Sequence, residues 1–203
     1  EVSGEVALSA TDLASAAILP RLLHDLREVA PGIHLRIVSS NDISNLLQRD
    51  ADIAIRHVRP KEDDLIARHV GDFGANLFAA SAYLERAGRP KVLRDLANHS
   101  FIGSPDNEQM ISTLRNKGVP IRRENFAISS ENGVVLWELL KAGYGMTFMP
   151  EILGDTTPGV EKVFPDLPSL EFPIWLVTHR ELKTSRRIRV VFDVLDRELS
   201  EMI

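Results

Sequence analysis

The stretch from residue 5 to residue 38, EVALSATDLASAAILPRLLHDLREVAPGIHLRIV, decides the fold. It begins with a short apolar segment at 6–8, which favours a strand, and apolar residues then recur at helical spacing over 18–29. Because proline suits the first turn of a helix better than its interior, the helix is expected to begin near Pro20. A proline–glycine pair ends it, so the stretch predicts a strand followed by a helix.

Two further strand patterns follow this opening, at 33–38 and at 52–55. Between them, Ile43, Leu46 and Leu47 predict a short helix. The alternation of strand and helix predicts parallel pairing with right-handed crossovers. The chain is therefore predicted to be an α/β protein.

From residue 65 onward the pattern changes, and a second α/β region is expected. Strands are predicted at 65–70 and 75–80, separated by a breaker, Gly-Asp-Phe-Gly, at 71–74. Ser185 is a candidate cap for a last helix. The other predicted elements are helices at 81–87, 92–97 and 132–142, and strands at 101–102, 126–129, 146–149 and 172–178.

Composition excludes several functions. The 203 residues contain 44% hydrophobic and 26% charged residues, and no stretch is long and apolar enough for a membrane helix. The net charge of −5 argues against a module that binds DNA by itself. There are no cysteines, which excludes disulfides and thiolate metal sites and is compatible with a cytoplasmic protein.

Catalytic motifs are missing from the sequence. There is no nucleophile elbow, zinc-protease helix or phosphate-binding loop, and the six histidines lack metal-ligand spacing. The sequence therefore predicts no catalytic residue, no metal and no cofactor.

The informative feature is a set of strand-to-helix turns rich in hydroxyls and amides. In parallel α/β sheets such turns lie at the carboxyl ends of strands, where ligands bind, and helix starts there offer N–H donors to anions. Each turn alone is more often a helix cap. The candidate ligand-binding residues from these turns are Thr11, Ser39, Ser40, Asn41, Ser129, Ser130 and Asn132.

These segments resemble a known family. The opening GEVALSAT at 4–11, with Ile-Leu-Pro at 18–20 and Pro-Gly-Ile-His-Leu at 31–35, resembles LysR-type effector-binding domains, and so do Asp-Ile-Ala-Ile-Arg at 52–56 and Ala-Gly-Tyr-Gly-Met at 142–146. His57-Val58 and Val92-Leu93 depart from the usual pattern. The matches run in order over nearly the whole chain.

The resemblance implies two Rossmann-like lobes similar to type II periplasmic binding proteins, with a ligand cleft between them. Lobe I would comprise 1–72 plus 177–203, and lobe II would comprise 73–176. The chain would pass to lobe II near Phe73 and return near Leu176. A winged helix-turn-helix, absent from this chain, would precede it in the full protein and make the only DNA contacts.

A regulatory function follows from this reading. The expected partners are a small, anionic effector and further copies of the chain, as a homodimer or tetramer, with no membrane. Arg56 is a candidate counter-ion for an effector carboxylate, a structural salt bridge being the equal alternative. Phe101, Ile102, Met146 and Thr147 are candidate walls of the ligand site. A periplasmic solute-binding protein and an enzyme of this fold are the alternative functions.

Overall fold

The computed structural model describes residues 2–41, 51–104, 106–116 and 118–203, apart from the side chains at 109, 110 and 113. The helix predicted around Ile43, Leu46 and Leu47 lies outside the described residues. The chain divides into two compact units: unit 1 comprises 1–73 and 171–203, and unit 2 comprises 74–170.

Unit 1 is built around a sheet with the strand order β2-β1-β3-β9-β4. Strand β1 pairs in parallel with both β2 and β3, which confirms the parallel arrangement predicted from the sequence, and β9 runs antiparallel to β3. Its elements are β1 (Ser3–Ala10), α1 (Leu19–Val29), β2 (Gly32–Ser39), β3 (Ile53–Arg56), the first part of β4 (Leu65–Ala80), β9 (Leu170–His179, apart from its first residue) and α6 (Arg186–Met202), with a π-helical turn at Ala14–Ile18 and a 3₁₀ turn at Arg180–Thr184.

Two helices close the core of unit 1. Helix α1 begins at Leu19, as Pro20 predicted, and it buries Leu22 and Leu26 completely. Helix α6 contacts both α1 and β1, and five of its apolar side chains are buried. Ser185 precedes α6, but its side chain makes no capping hydrogen bond, so that prediction is wrong; its carbonyl accepts from the Arg189 N–H instead.

Unit 2 has the strand order β4-β7-β5-β6, with β8 on β4. Strand β4 is antiparallel to β7 and to β8, whereas β5 is parallel to β6 and β7. The elements of unit 2 are the second part of β4, α2 (Ser81–Ala87), β5 (Phe101–Gly103), α3 (Glu108–Asn116), β6 (Phe126–Ser129), α4 (Gly133–Lys141), β7 (Met146–Pro150), α5 (Glu151–Gly154) and β8 (Val160–Lys162), with 3₁₀ turns at Leu93–Asn98 and Arg123–Asn125.

The region from Leu65 to Ala80 is a single strand, so the predicted break at 71–74 is wrong. The glycines there allow close packing and make no turn. A Cβ at Gly71 would lie 2.5 Å from Ile203 Cδ1, and a Cβ at Gly74 would collide with the carboxylate of Glu151. A glycine in a strand marks a close approach as often as a turn.

The chain passes from unit 1 to unit 2 inside β4, after Phe73, and returns at Glu171. The return was predicted near Leu176, a residue that lies within the uninterrupted strand β9 at 170–179. Among the described residues, no helix combines the length and apolar character needed to cross a bilayer.

Candidate functional site

The carboxyl ends of three parallel strands meet at one edge of the unit 1 sheet. In the register of the sheet, Ala10 of β1 is opposite Ser39 of β2, and Ser9 is opposite Ala54 of β3. Because parallel strands end on the same side, the residues that follow them gather there. We call this group the unit 1 edge; its predicted members are Thr11, Ser39, Ser40, Asn41 and Arg56.

Arg56 is the charged residue at the end of β3. Its side chain is 7% exposed, and its guanidinium donates to Ser9 Oγ at 2.9 Å, to the Ile55 carbonyl at 3.0 Å and to the Ser9 carbonyl at 3.5 Å. These hydrogen bonds help to offset the cost of burying the charged group. Strand β1 therefore holds a cation in a fixed position at the unit 1 edge.

Two residues that matter to this arrangement were missed by the sequence analysis. Ser9 is fully buried and supplies the hydroxyl that binds Arg56, and the only sequence signal is a polar residue in an apolar strand. Asp12 exchanges hydrogen bonds with Asn41: Asn41 Nδ2 donates to Asp12 Oδ2 at 2.9 Å, and the Asp12 N–H donates to Asn41 Oδ1 at 3.2 Å. This pair ties the segment after β2 to the segment after β1.

The N–H groups of the turn after β1 are bound by the chain's own oxygens, so the expectation of free donors is wrong for this turn, whereas the helix start predicted after β2 lies outside the described residues. The Leu13 N–H donates to Asp12 Oδ1 at 2.6 Å, and the Ala14 N–H donates to Thr11 Oγ1 at 3.3 Å. The chain's own oxygens satisfy these donors, which is the ordinary role of a helix cap. At this turn an anion would therefore depend on side-chain donors.

In unit 2 the corresponding residues follow β6. Ser129 is opposite Gly103 in the sheet, and the Ser130 N–H donates to the Gly103 carbonyl at 3.0 Å. Asn132 is the N-cap of α4: its Oδ1 accepts from the Val135 N–H at 3.0 Å, and its own N–H donates to Ser130 Oγ at 3.1 Å. The capping interpretation is confirmed for Asn132.

The candidate wall residues are all buried within unit 2. Phe101 is 3% exposed, Ile102 1%, Met146 0% and Thr147 7%. Phe101 and Met146 are opposite one another in β5 and β7 and belong to the hydrophobic core of the unit. Such burial gives them a packing role, and their role as walls of a ligand site stays a prediction.

A separate basic cavity of about 540 Å³ lies in unit 1, beside the start of α6. Arg68, Lys183 and Arg189 contribute positive charge to its lining, and Asp193 contributes negative charge. Arg68 is already paired, since its Nε lies 2.6 Å from Asp196 Oδ1. Asp193 and the Arg68–Asp196 pair reduce the positive charge of this cavity, and Lys183 and Arg189 are exposed, so its lining contains no buried cation comparable to Arg56.

The sequence matches the family described as LysR substrate binding domain over residues 1–200. It is 30% identical over 195 residues to the HTH-type transcriptional regulator CrgA of Neisseria meningitidis serogroup C, an alignment that covers 89% of this chain and 64% of that protein. It is also 40% identical, over 85 residues, to an HTH-type transcriptional repressor of Pseudomonas aeruginosa, covering 42% of this chain and 26% of that protein.

Solved structures show the same fold. The regulatory domain of CrgA from Neisseria meningitidis superposes with a TM-score of 0.85 at 25% identity, covering 98% of this chain and all of that one. HinK, a LysR family regulator from Pseudomonas aeruginosa, superposes with a TM-score of 0.74 at 17% identity, covering all of this chain and 72% of that one. The chain thus spans about two thirds of the length of full-length relatives and the whole of an isolated regulatory domain.

Proposed function

Because the chain belongs to the LysR substrate-binding domain family, we propose that it senses a small-molecule effector for a LysR-type transcription regulator. The effector carries an anionic group, and that group binds at the unit 1 edge. Relatives that are named as transcriptional regulators support the regulatory part of the proposal. They do not favour the alternatives, a solute-binding protein or an enzyme; turnover of a bound metabolite would revive the enzyme.

The observation that carries the ligand-binding part is the position of Arg56. A guanidinium fixed by Ser9 at the carboxyl end of β3 lies at the same end of the sheet as Ser39 and Ser40, which carry hydroxyl groups. A guanidinium and hydroxyls together suit a carboxylate or phosphate group. The Asp12 carboxylate nearby already accepts from Asn41 and Leu13, which reduces its repulsion of an anion.

The proposed mechanism is a shift of population. The effector binds one conformation of the domain more tightly than another, so its concentration sets the balance between them. Coupling of this kind amounts to about 1–3 kcal/mol in known allosteric proteins. In the full protein the shift would change how paired DNA-binding modules are placed.

A ligand panel tests the charge assignment. We expect one or more small carboxylic acids to raise the melting temperature of the chain in a saturable way, and the matching neutral amides to bind at least about tenfold more weakly. A response to a neutral or cationic compound, with every acid silent, would overturn the assignment.

A pair of arginine variants tests the position. Arg56→Lys keeps the positive charge but loses the planar guanidinium, whose N–H groups can bind both oxygens of a carboxylate. We therefore expect about a tenfold loss of affinity for the acid found in the panel. Arg36→Lys is the matched control, because Arg36 is an exposed residue of β2 that pairs with Glu5. Equal effects of the two substitutions, measured by calorimetry on folded protein, would contradict a site at the unit 1 edge.

The properties of the whole protein are part of the proposal. By analogy with its relatives, the full-length protein would carry an N-terminal helix-turn-helix, act in the cytoplasm and assemble as a dimer or tetramer. The coding sequence upstream of Glu1 tests this. We expect it to encode about ninety residues that form a helix-turn-helix domain. A secretion signal there would favour the solute-binding alternative.

A further inference from the structure

Unit 2 contains a cavity of about 250 Å³ that the proposed effector site does not use. Its lining is almost entirely apolar and comes from β4, β5, β7, α3, the 3₁₀ turn at Leu93–Asn98, the segments after α3 and β8, and the first residue of β9. We call it the unit 2 cavity. The residues that line it are Ala75, Asn76, Leu77, Leu93, Leu96, Phe101, Leu114, Val119, Phe148, Phe164, Leu167, Pro168 and Leu170.

The size of the unit 2 cavity suits a small organic molecule. An apolar cavity of about 150 Å³ stays dry and holds benzene. A cavity of about 250 Å³ therefore has room for one aromatic ring and a short substituent.

The cavity lies where the core of unit 2 fails to close. Leu77, Leu96 and Phe101, which belong to the buried core, form part of its wall, and the half-buried Leu93 and Phe148 form another part. Side chains that face a gap lose dispersion contacts on that side. An apolar guest restores these contacts, so it gains affinity without displacing well-bound water.

One buried polar group gives the cavity a hydrogen-bond donor. Asn76 is 6% exposed, and its Oδ1 accepts from the Leu77 N–H at 2.9 Å. Its Nδ2 makes only long hydrogen bonds, at 3.4 Å to Glu151 Oε1 and 3.5 Å to the Leu167 carbonyl. Since good N–H···O bonds are near 2.9–3.0 Å, these two bonds are weak, and the amide can exchange one of them for a shorter bond to a carbonyl oxygen on a guest.

The apolar lining of the unit 2 cavity disfavours an anionic guest, because an anion there would be buried without a cation among the lining residues. Glu151 accepts from Asn76 and lies 2.8 Å from Lys162 Nζ. Hydrogen bonds from Lys162 and then from Ser169 lower the pKa of Glu151, which keeps it ionised at neutral pH. Lys162 is already paired with Glu151 and with Asp155, so it does not serve as a counter-ion for an anionic guest.

We propose that the unit 2 cavity is a second ligand site, which binds a neutral molecule of one ring with a single hydrogen-bond acceptor. It is independent of the unit 1 edge and takes a different chemical class, a neutral apolar compound in place of an anion.

The test uses three probes of similar size on the 203-residue chain. Acetophenone is neutral and carries one carbonyl, ethylbenzene lacks the acceptor, and benzoate is an anion. We expect saturable calorimetric binding of acetophenone, weaker binding of ethylbenzene, and binding of benzoate at this site at least about tenfold weaker than that of acetophenone. Absence of acetophenone binding would overturn the site, and equal binding of benzoate would overturn its selectivity.

Filling variants locate the site. Leu114→Phe and Ala75→Val each add atoms to the cavity lining, so we expect folded proteins whose affinity for acetophenone falls about tenfold or more. Val135→Phe is the matched control, because Val135 is exposed on α4, and it should bind acetophenone like the original chain. Loss of folding in both filling variants would contradict the presence of a void.

Arg56→Lys separates the two proposals. Acetophenone binding should be unchanged in this variant, because Arg56 belongs to unit 1 and the cavity lies within unit 2. A parallel loss of acetophenone binding and acid binding would show that one site explains both, and it would overturn the independent second site.

Discussion

In both units, parallel strands are followed by turns rich in hydroxyl groups, yet the side chains at these turns have different roles. In unit 1 the sheet edge includes the buried guanidinium of Arg56, whereas in unit 2 the Asn132 side chain caps α4. The cores differ as well, since unit 2 contains the apolar cavity beside Phe101. The two proposed sites therefore depend on different features: a fixed charge at the sheet edge in unit 1 and open space within the core in unit 2.

Of the comparisons between the two units, replacement of a leucine by alanine in each core should give the largest difference in the free energy of unfolding. Leu22→Ala removes a fully buried side chain from α1 in unit 1 and should cost about 3 kcal/mol of the free energy of unfolding. Leu93→Ala removes a half-buried side chain from the wall of the unit 2 cavity and should cost about 1 kcal/mol, since fewer contacts are lost. Urea unfolding measures both, and equal costs would contradict an open core in unit 2.

Replacement of one glycine by alanine in each unit should give a smaller difference in the free energy of unfolding. In unit 2 a Cβ at Gly154 would collide with the ring of Phe78, which is 1% exposed and cannot move away, so Gly154→Ala should cost about 2 kcal/mol. In unit 1, the Cβ added by Gly71→Ala would meet only the end of the half-exposed Ile203 side chain. The substitution should therefore lower the free energy of unfolding by about 0.5 kcal/mol or less. Thermal unfolding checks this order, and the reverse order would show that the unit 2 core accepts added atoms at Gly154.

Acid should produce the smallest difference. Among the described residues, the carboxyl groups with clearly lowered pKa values are Asp95, Glu151 and Glu161, and all three belong to unit 2. Hydrogen bonds from Arg89 and then from Ser81 lower the pKa of Glu161 from 4.5 to about 2. A lowered pKa stabilises the folded state above the unfolded value, and this contribution disappears as the pH falls from about 4.5 through about 2. The effect is small because the Arg89–Glu161 pair is partly exposed.

One tryptophan in each unit can follow this loss. Trp137 is in unit 2 and Trp175 is in unit 1, so the variants Trp175→Phe and Trp137→Phe each leave one reporter. As the pH falls, we expect Trp137 fluorescence to change at a higher pH than Trp175 fluorescence. Glu161→Gln should reduce the difference in pH between these two transitions. If Trp175 changed first, acid sensitivity would not be a property of unit 2.

Local periodicity was sufficient to predict the parallel strands of unit 1 and the start of α1 near Pro20, because these depend on residues close in the chain. It was insufficient at 71–74, where the glycines make room for Ile203 and Glu151, residues far away in sequence. The hydrogen bond from Arg56 to Ser9 joins residues 47 positions apart, and the unit 2 cavity is lined by side chains from eight segments. Such features depend on tertiary packing, which a local pattern does not contain.

Chemical-shift mapping tests the central claim most directly. An acid from the ligand panel would be titrated into ¹⁵N-labelled chain while the backbone amides are followed. The account predicts that the largest shifts include the amides of Ser39, Ser40, Asn41 and Arg56. Shifts that leave these four amides unmoved and gather around Leu96 and Phe101 in the unit 2 cavity would contradict it.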